Sequence, residues 1–228
     1  MHELAARLSV HPLIHIIGIT EVKSKNSKQR MNPVDYNLDD VGSYNIFSKN
    51  IDNDIGRGLL LYVHRSLEVK EVTLTTEFQE NIFVEIKCGN KESLIVGLIY
   101  RSPSASGTET NNENLLVLME EVSSKKYGHK LYMGDFNLPN IDWRLLDAKG
   151  DGDTLENNFL DCVQNALLFQ NVLEPTRWRG DVTPHVLDLV FTNEENMVED
   201  VQYLGPLGKS DHCVLLFKVI CCTETTKK

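Results

Sequence analysis

The sequence predicts an α/β protein in which two packed β-sheets are flanked by a few helices. Seven short runs rich in Val, Ile, Leu, Phe and Tyr are bounded by turn residues, which is the pattern of β-strands. Only a few segments have the spacing of an amphipathic helix, and they do not alternate strictly with the strands. Because a doubly wound parallel sheet requires that alternation, this architecture is disfavoured.

The predicted elements follow one another along the chain with no internal repeat. Residues 2–8 resemble the end of a helix that leads into the first strand. Two further helices are predicted at 114–123 and at 154–168, the second with Thr154 as its N-cap. Polar residues 102–114 indicate a long surface loop. The seven predicted strands are 13–19, 58–64, 82–87, 94–100, 130–133, 186–191 and 213–220.

Length and composition indicate one globular domain. The chain has 228 residues, of which 41% are hydrophobic and 25% charged. Its net charge of −10 argues against a broad non-specific binder of polyanions, but not against a nuclease that gathers carboxylates around Mg²⁺. The five cysteines lack the spacing of a zinc site. No segment has the length of a transmembrane helix or the pattern of a signal peptide, so we expect no membrane association and an intracellular location.

The segment around Asp135 carries the sharpest local signal for chemistry. On an extended strand, Asp135 and Asn137 lie on one side while Phe136 points into the core. Both polar residues would then project from the strand end into a site. A strand that ends in an Asx turn, closed by Pro139, accounts for the same residues about equally well.

Three other strand ends carry an acid or a phenol. Asp188 lies within an apolar strand, where a carboxylate needs a partner, and His212 offers one if it lies in the loop before the last strand. Asp211 would then face a metal ion, although a solvated turn is the simpler interpretation of this dipeptide alone. Glu21 and Tyr100 also end apolar runs, where a surface acid and a core phenol are the plainer alternatives. Together, these strand ends indicate a site assembled from distant parts of the sequence.

The order of these motifs resembles that of the endonuclease/exonuclease/phosphatase superfamily. It is most similar to the apurinic-type endonuclease domain of jockey-like non-LTR retrotransposons, and the resemblance covers about residues 4–220. The residues that carry it are Thr20-Glu21, Ile99-Tyr100-Arg101-Ser102-Pro103, Gly134-Asp135-Phe136-Asn137, Pro175-Thr176-Arg177, Leu187-Asp188-Leu189-Val190-Phe191-Thr192-Asn193 and Ser210-Asp211-His212.

The resemblance implies a four-layered α/β sandwich with two packed mixed sheets, and hydrolysis of phosphodiester bonds in DNA that depends on Mg²⁺ or, alternatively, Mn²⁺. It also implies the catalytic roles. Asp135 would orient or deprotonate the attacking water, Asn137 would hold the scissile phosphate, and Tyr100 would donate to a phosphate oxygen. Asp188 would orient His212, whose imidazolium would stabilise charge on the phosphate.

Further positions follow from the same resemblance. Glu21 would bind the metal ion, with Asp211 as a second carboxylate near it. Independently of the resemblance, Arg101, Arg177 and Trp178 are expected to contact DNA, since they combine positive charge with an aromatic ring. The resulting hypothesis is an endonuclease that nicks target DNA for retrotransposition, with a nuclear location if it acts in that way.

One departure from the family pattern affects this hypothesis. The family begins with a strand that carries an Asn in a motif like Trp-Asn-Val-Asn-Gly, and no such motif precedes residues 2–8. We therefore expect residues 1–220 to form an N-terminally truncated domain, with a polar tail at 221–228. A catalytically inactive remnant is an alternative function. A phosphatase of the same fold is another, disfavoured because the sequence lacks a motif like Trp-Cys-Asp-Arg.

Overall fold

The computed structural model of the protein describes residues 1–11, 13–23, 27, 29–51, 57–89, 92–103, 108–150, 152–178, 180 and 183–221. The helices in this part of the chain are α1 (His2–Val10), α2 (Thr108–Ser124) and α3 (Leu155–Asn165), with a short 3-10 helix at Pro33–Tyr36. The strands are β1 (Ile16–Ile19), β2 (Tyr44–Lys49), β3 (Leu59–His64), β4 (Val69–Glu71), β5 (Asn81–Cys88), β6 (Glu92–Tyr100), β7 (His129–Asp135), β8 (Ile141–Asp142), β9 (Asp147–Ala148), β10 (Phe169–Gln170), β11 (Asp188–Thr192), β12 (Val198–Leu204) and β13 (Val214–Val219).

A six-stranded sheet forms the centre of the fold. Its strand order is β10-β11-β7-β6-β5-β4. Strands β6 and β7 are parallel because the chain returns between them through α2, whereas the other neighbours pair antiparallel. Both faces of this sheet are covered, and β6 is accordingly apolar along almost its whole length.

A second layer of strands packs on one face of the central sheet. It consists of an antiparallel sheet in the order β1-β3-β2 and an antiparallel pair of β12 with β13. Residues from both pieces share one apolar core with β5, β6, β7 and β11. The predicted second sheet is thus present as a layer, although its described strands form two pieces that are antiparallel and not mixed.

Helices cover the two outer faces, which confirms the predicted four-layered α/β sandwich. Helices α2 and α3 pack on the far side of the central sheet, around an aromatic cluster of Phe136, Phe159, Phe191 and Trp143. Helix α1 contributes Leu4 to a smaller core on the outside of the β1-β3-β2 sheet. Among the described residues, no helix is long and apolar enough to cross a membrane.

The predicted elements agree with the structure except at polar segments. All seven predicted strands and all three helical segments are present, and the Thr154 hydroxyl accepts a hydrogen bond from the Asn157 amide as an N-cap. The predicted loop at 102–114 is wrong in its second half, because α2 begins at Thr108. Strands β2, β4, β8, β9, β10 and β12 were not predicted. Of the predicted tail, only Cys221 belongs to the described residues.

Candidate active site

Three adjacent strands of the central sheet place Tyr100, Asp135 and Asp188 side by side. Tyr100 at the end of β6 is in register with Asp135 at the end of β7, and Asp135 is in register with Asp188 at the start of β11. Residues directly opposite on neighbouring strands project to the same face. The three side chains therefore meet on the face that the second layer covers, and Tyr100 and Asp135 are buried there.

The second layer adds Glu21 and His212 to this group. Glu21 follows β1, and its carboxylate accepts a hydrogen bond from the Tyr100 hydroxyl. His212 precedes β13, and its Nδ1 lies 2.8 Å from Asp188 Oδ2, which confirms the predicted partnership. One potential ligand atom of each of Asp135, Asp188 and His212 lies within 4.8 Å of the others. The site thus assembles from both layers, as the strand-end pattern predicted.

Burial and mutual charge set the protonation of these groups. Burial and the neighbouring charge of Asp188 raise the pKa of Asp135 well above its usual range. Burial lowers the pKa of His212, but the hydrogen bond to Asp188 and the charges of Asp188, Asp135 and Asp211 together raise it to about 9. At neutral pH His212 is therefore an imidazolium, which can stabilise an anion but cannot coordinate a metal ion.

The chain turns sharply after Asp135. The segment is therefore both a strand end that presents an acid to the site and an Asx turn, the two interpretations that the sequence allowed. Phe136 is fully buried, as predicted. Asn137 has a positive φ of 49°, and its backbone N–H donates to Asp135 Oδ1 at 3.1 Å, which is an Asx turn. Its side-chain amide donates to the Arg101 carbonyl at 3.0 Å. The turn therefore keeps Asn137 beside Asp135, even though the strand does not extend to it.

Arg101 lies in a different place from the DNA surface on which we expected it. It is buried, and its guanidinium donates to Asn112 Oδ1 at 2.9 Å and to the Asn137 carbonyl at 2.8 Å. Successive side chains of an extended segment point to opposite faces, so Arg101 cannot follow Tyr100 into the site. The structure makes it a support for the turn that holds Asn137.

Asp211, Arg177 and Trp178 form the outer rim of the site. The Arg177 guanidinium donates to Asp211 Oδ2 at 2.9 Å, and the Trp178 amide donates to the Asp211 carbonyl. Burial raises the pKa of Asp211, but the hydrogen bond and charge of Arg177 lower it overall. Asp211, expected near a metal ion, is thus already paired with a cation. The Trp178 side chain is 46% exposed, which leaves its ring open to a ligand.

Three supporting residues were not predicted as part of the site. The buried Thr176 hydroxyl accepts hydrogen bonds from the Leu187 and Asp188 amides and so fixes the start of β11. Arg57 and Glu80 are buried charged residues next to Glu21 and Tyr100. Thr176 stood within a motif that the resemblance had marked, whereas a lone arginine and a lone glutamate give no signal in a single sequence.

The donor set suits a hard divalent cation. Glu21, Asp135 and Asp188 supply carboxylate oxygens, the ligands that Mg²⁺ and Mn²⁺ prefer. Cys213 follows His212, but burial and the charge of Asp188 raise the pKa of its thiol to about 11, so it is not the thiolate that a metal ion binds. The residues present therefore fit Mg²⁺.

Comparison with known proteins identifies the family of the chain. The sequence profile of a family described as endonuclease-reverse transcriptase matches residues 94–216, a segment that contains the site residues described above except Glu21, Arg57 and Glu80. None of the curated proteins matches the sequence.

Several solved structures share the fold. The endonuclease domain of TRAS1, a telomere-specific non-LTR retrotransposon, superposes with a TM-score of 0.56 and 17% identity, over 77% of this chain and 80% of that one. A 3′ phosphatase from Neisseria, NExo, bound to a product DNA hairpin, has a TM-score of 0.69 and 12% identity over 96% and 94%. The catalytic domain of APE2 from Xenopus laevis has a TM-score of 0.58 and 14% identity over 92% and 85%. At these identities the likeness establishes the fold.

Proposed function

The chain belongs to the endonuclease-reverse transcriptase family, and on that premise we propose that it is a divalent-metal-dependent endonuclease that hydrolyses phosphodiester bonds in DNA. The observation that carries the proposal is the cluster of Asp135, Asp188 and His212, with an imidazolium held against two carboxylates at the ends of adjacent strands. Hydrolysis of a phosphodiester needs a base or orienting group for water and fixed positive charge for the phosphate. The cluster contains both.

Each residue of the chain has a distinct part in this proposal. Asp135 orients the attacking water and takes up its proton. His212 stabilises the negative charge that develops on the phosphate, and Asp188 keeps its ring in position through the 2.8 Å hydrogen bond. Burial and the hydrogen bond to Glu21 raise the pKa of Tyr100, so its hydroxyl stays protonated and remains a donor. Asn137, which donates one side-chain hydrogen to Arg101, has a second hydrogen left for a phosphate oxygen.

The proposed cofactor is Mg²⁺, with Mn²⁺ as its substitute, held by Glu21 together with the carboxylates of the central sheet. Once bound, such an ion supplies Lewis-acid stabilisation of the phosphate oxygens. Asp211 remains a proposed ligand at the edge of the site. Because Arg177 occupies one of its oxygens, Asp211 would contribute through the other oxygen or after releasing Arg177.

The proposed substrate is DNA, since the solved structures of this fold include a retrotransposon endonuclease and a phosphatase with a bound DNA hairpin. The exposed Trp178 ring beside Arg177 is the proposed contact surface. We further propose that the chain nicks target DNA for retrotransposition, acts in the nucleus, and forms one catalytic domain over residues 1–220. Arg179, which follows Trp178 in the sequence, lies outside the described residues.

Nicking of a supercoiled plasmid tests the proposal. We expect relaxed circles with Mg²⁺ or Mn²⁺ and none with EDTA. His212→Ala and Asp135→Asn should each lower the rate by about 10²–10⁴, the usual loss for an electrostatic or acid–base group. Lys130→Met, at the far end of β7, is the matched control and should nick normally.

Other results would contradict the proposal or identify one of the alternative functions. Undiminished nicking in EDTA would contradict metal dependence, and nicking that survives His212→Ala would contradict the assigned site. Release of inorganic phosphate from a 3′-phosphorylated oligonucleotide without nicking would identify a phosphatase. Folded protein without either activity would identify a catalytically inactive remnant.

A further inference from the structure

A buried arginine lies directly behind Glu21 and Tyr100. Arg57 is 3% exposed, and its Nε lies 3.8 Å from Glu21 Oε1. Its guanidinium carbon lies 5.9 Å from the centre of the Tyr100 ring, a distance at which a cation is attracted to the aromatic face. Tyr100 in turn donates to the same oxygen of Glu21. One cation therefore contacts both residues of this hydrogen-bonded pair.

The backbone of Arg57 also holds the segment that follows Glu21. Lys23 and Arg57 exchange two backbone hydrogen bonds, of 3.0 and 3.1 Å, and the Val22 amide donates to the Gly58 carbonyl. Arg57 has a φ of 62° and Glu21 a φ of 49°. Residues other than glycine rarely adopt this region, and such conformations persist only where the surroundings fix them. The backbone hydrogen bonds between the two segments therefore hold Glu21 and Arg57 in these conformations.

The guanidinium is anchored from behind. Arg57 Nη1 donates to the hydroxyl of the fully buried Ser102. The Ser102 amide donates to Glu80 Oε2 at 3.0 Å, and Asn111 Nδ2 donates to the same oxygen at 3.1 Å. The Glu80 carbonyl accepts the Tyr100 amide. Buried charges are retained only with hydrogen-bonded partners, so this chain of contacts fixes Arg57 in one orientation.

We infer that Arg57 is a positioning residue for the proposed reaction, which fixes the hydrogen-bonded pair of Glu21 and Tyr100 and so orients the Tyr100 hydroxyl toward the substrate. The inference rests on the proposed function. Arg57 is enclosed by Glu21, Tyr100 and Ser102, so it acts through Glu21 and Tyr100. A guanidinium suits this task because its flat face packs on a ring while its N–H groups keep fixed directions, whereas an ammonium group is a point charge on a flexible stem.

The electrostatic effect of Arg57 separates this role from a merely structural one. A fixed positive charge 3.8 Å from Glu21 repels a metal ion bound by that carboxylate. Removing the charge should therefore leave divalent-ion binding equal or tighter while the alignment for catalysis is lost. General damage to the fold would weaken both together.

The experiment compares Arg57→Gln, Arg57→Lys and Ser102→Ala with the unaltered chain and with Lys130→Met as control. Plasmid nicking gives kcat and KM, calorimetric titration with Mn²⁺ gives its Kd without DNA, and thermal unfolding reports the fold. For Arg57→Gln we expect kcat to fall by about tenfold or more with KM for DNA changed by less than about twofold, because misplacement of reacting groups affects the chemical step. Its Kd for Mn²⁺ should be equal or lower. Ser102→Ala should give a smaller loss of kcat, and Arg57→Lys should recover part of it.

Failure of the inference differs from failure of the proposed function. If the unaltered chain nicks and Arg57→Gln has the same kcat, the inference is overturned. It is also overturned if kcat, Mn²⁺ binding and thermal stability all fall together in both Arg57→Gln and Ser102→Ala. If the unaltered chain does not nick, the proposed function fails. Weaker Mn²⁺ binding by a folded Arg57→Gln protein would then overturn the inference separately.

Discussion

Gly134 allows strands β6 and β7 to approach closely beside the site, and its replacement by alanine should damage both stability and activity. It has a φ of 143°, and a Cβ added there would lie 1.8 Å from the Ile99 carbonyl oxygen of the neighbouring parallel strand. Since Cβ atoms essentially never approach other atoms within 3.0 Å, the two strands would have to separate by about 1.2 Å. The next pair in register is Tyr100 with Asp135, so the displacement reaches the site directly.

The expected cost of Gly134→Ala follows from these contacts. A strained φ costs about 1–3 kcal/mol, and weakening two or three ladder hydrogen bonds adds about 0.5–1.5 kcal/mol each. We therefore expect a loss of about 3–5 kcal/mol in the free energy of unfolding, measured by urea denaturation followed by circular dichroism. Nicking should fall by about 100-fold, as for a misplacement of about 1 Å.

Gly152→Ala is the matched control for this substitution. Gly152 also has a positive φ, of 85°, but nothing lies within 4 Å of an added Cβ. Its replacement should cost only the backbone strain, about 1 kcal/mol, with normal nicking. Equal denaturation midpoints for the two variants would refute the close approach of β6 and β7 as the reason for the glycine.

Three further predictions concern the core, the charge pair and the DNA surface. Phe136→Ala, which removes a fully buried ring between two others, should lower the free energy of unfolding by about 3–5 kcal/mol in urea denaturation. The pKa of His212, raised from 6.5 to about 9, corresponds to about 3 kcal/mol of stability. This stability is fully present below about pH 6.5 and is lost as the pH rises through about 9. In urea denaturation at several pH values, Asp188→Asn should reduce this change in the free energy of unfolding with pH. Trp178→Ala should weaken binding of a fluorescent DNA by about 1–3 kcal/mol in anisotropy titrations, whereas Leu167→Ala, an exposed apolar residue elsewhere, should not.

The strands could be predicted because their apolar runs reflect burial between the layers of the fold. Strand β3, fully buried from Leu59 to Val63, is a continuous apolar run of this kind. Strands β2 and β12 are only partly buried and carry polar residues, so their sequences resemble loops. The N-terminal part of α2 is also polar and becomes helical as the extension of a helix whose later turns bury Leu115 and Leu118. Tertiary packing decides the conformation in such segments.

The candidate site residues and the pairing of Asp188 with His212 could be predicted from the sequence, but the partners of the other residues could not. Residue type and strand-end position identified Asp135, Asp188 and His212, because a buried acid requires a partner. The same residue-type reasoning assigned Arg101 to a DNA surface, whereas its guanidinium supports Asn137 from within the fold. Which face a side chain takes after a strand ends depends on a turn that this sequence does not specify by itself.

In the described part of the chain, most acidic residues of the candidate site are paired with a cationic side chain, and the lack of such a pair sets Asp135 apart. Glu21 faces Arg57, Asp188 faces His212, and Asp211 faces Arg177. In each pair the acid and the cation belong to different parts of the chain. The ion pairs therefore connect the strand ends to the loops around them. Among the described residues, Asp135 is the site acid without an ion pair of its own, and its side chain accepts a hydrogen bond from the Asn137 backbone N–H. Burial and the neighbouring charge of Asp188 raise the pKa of this carboxyl group, so its ionised form is the one in the cluster that an added positive charge would stabilise most. A divalent cation would therefore act most strongly at Asp135, because electrostatic attraction grows as the surroundings exclude water.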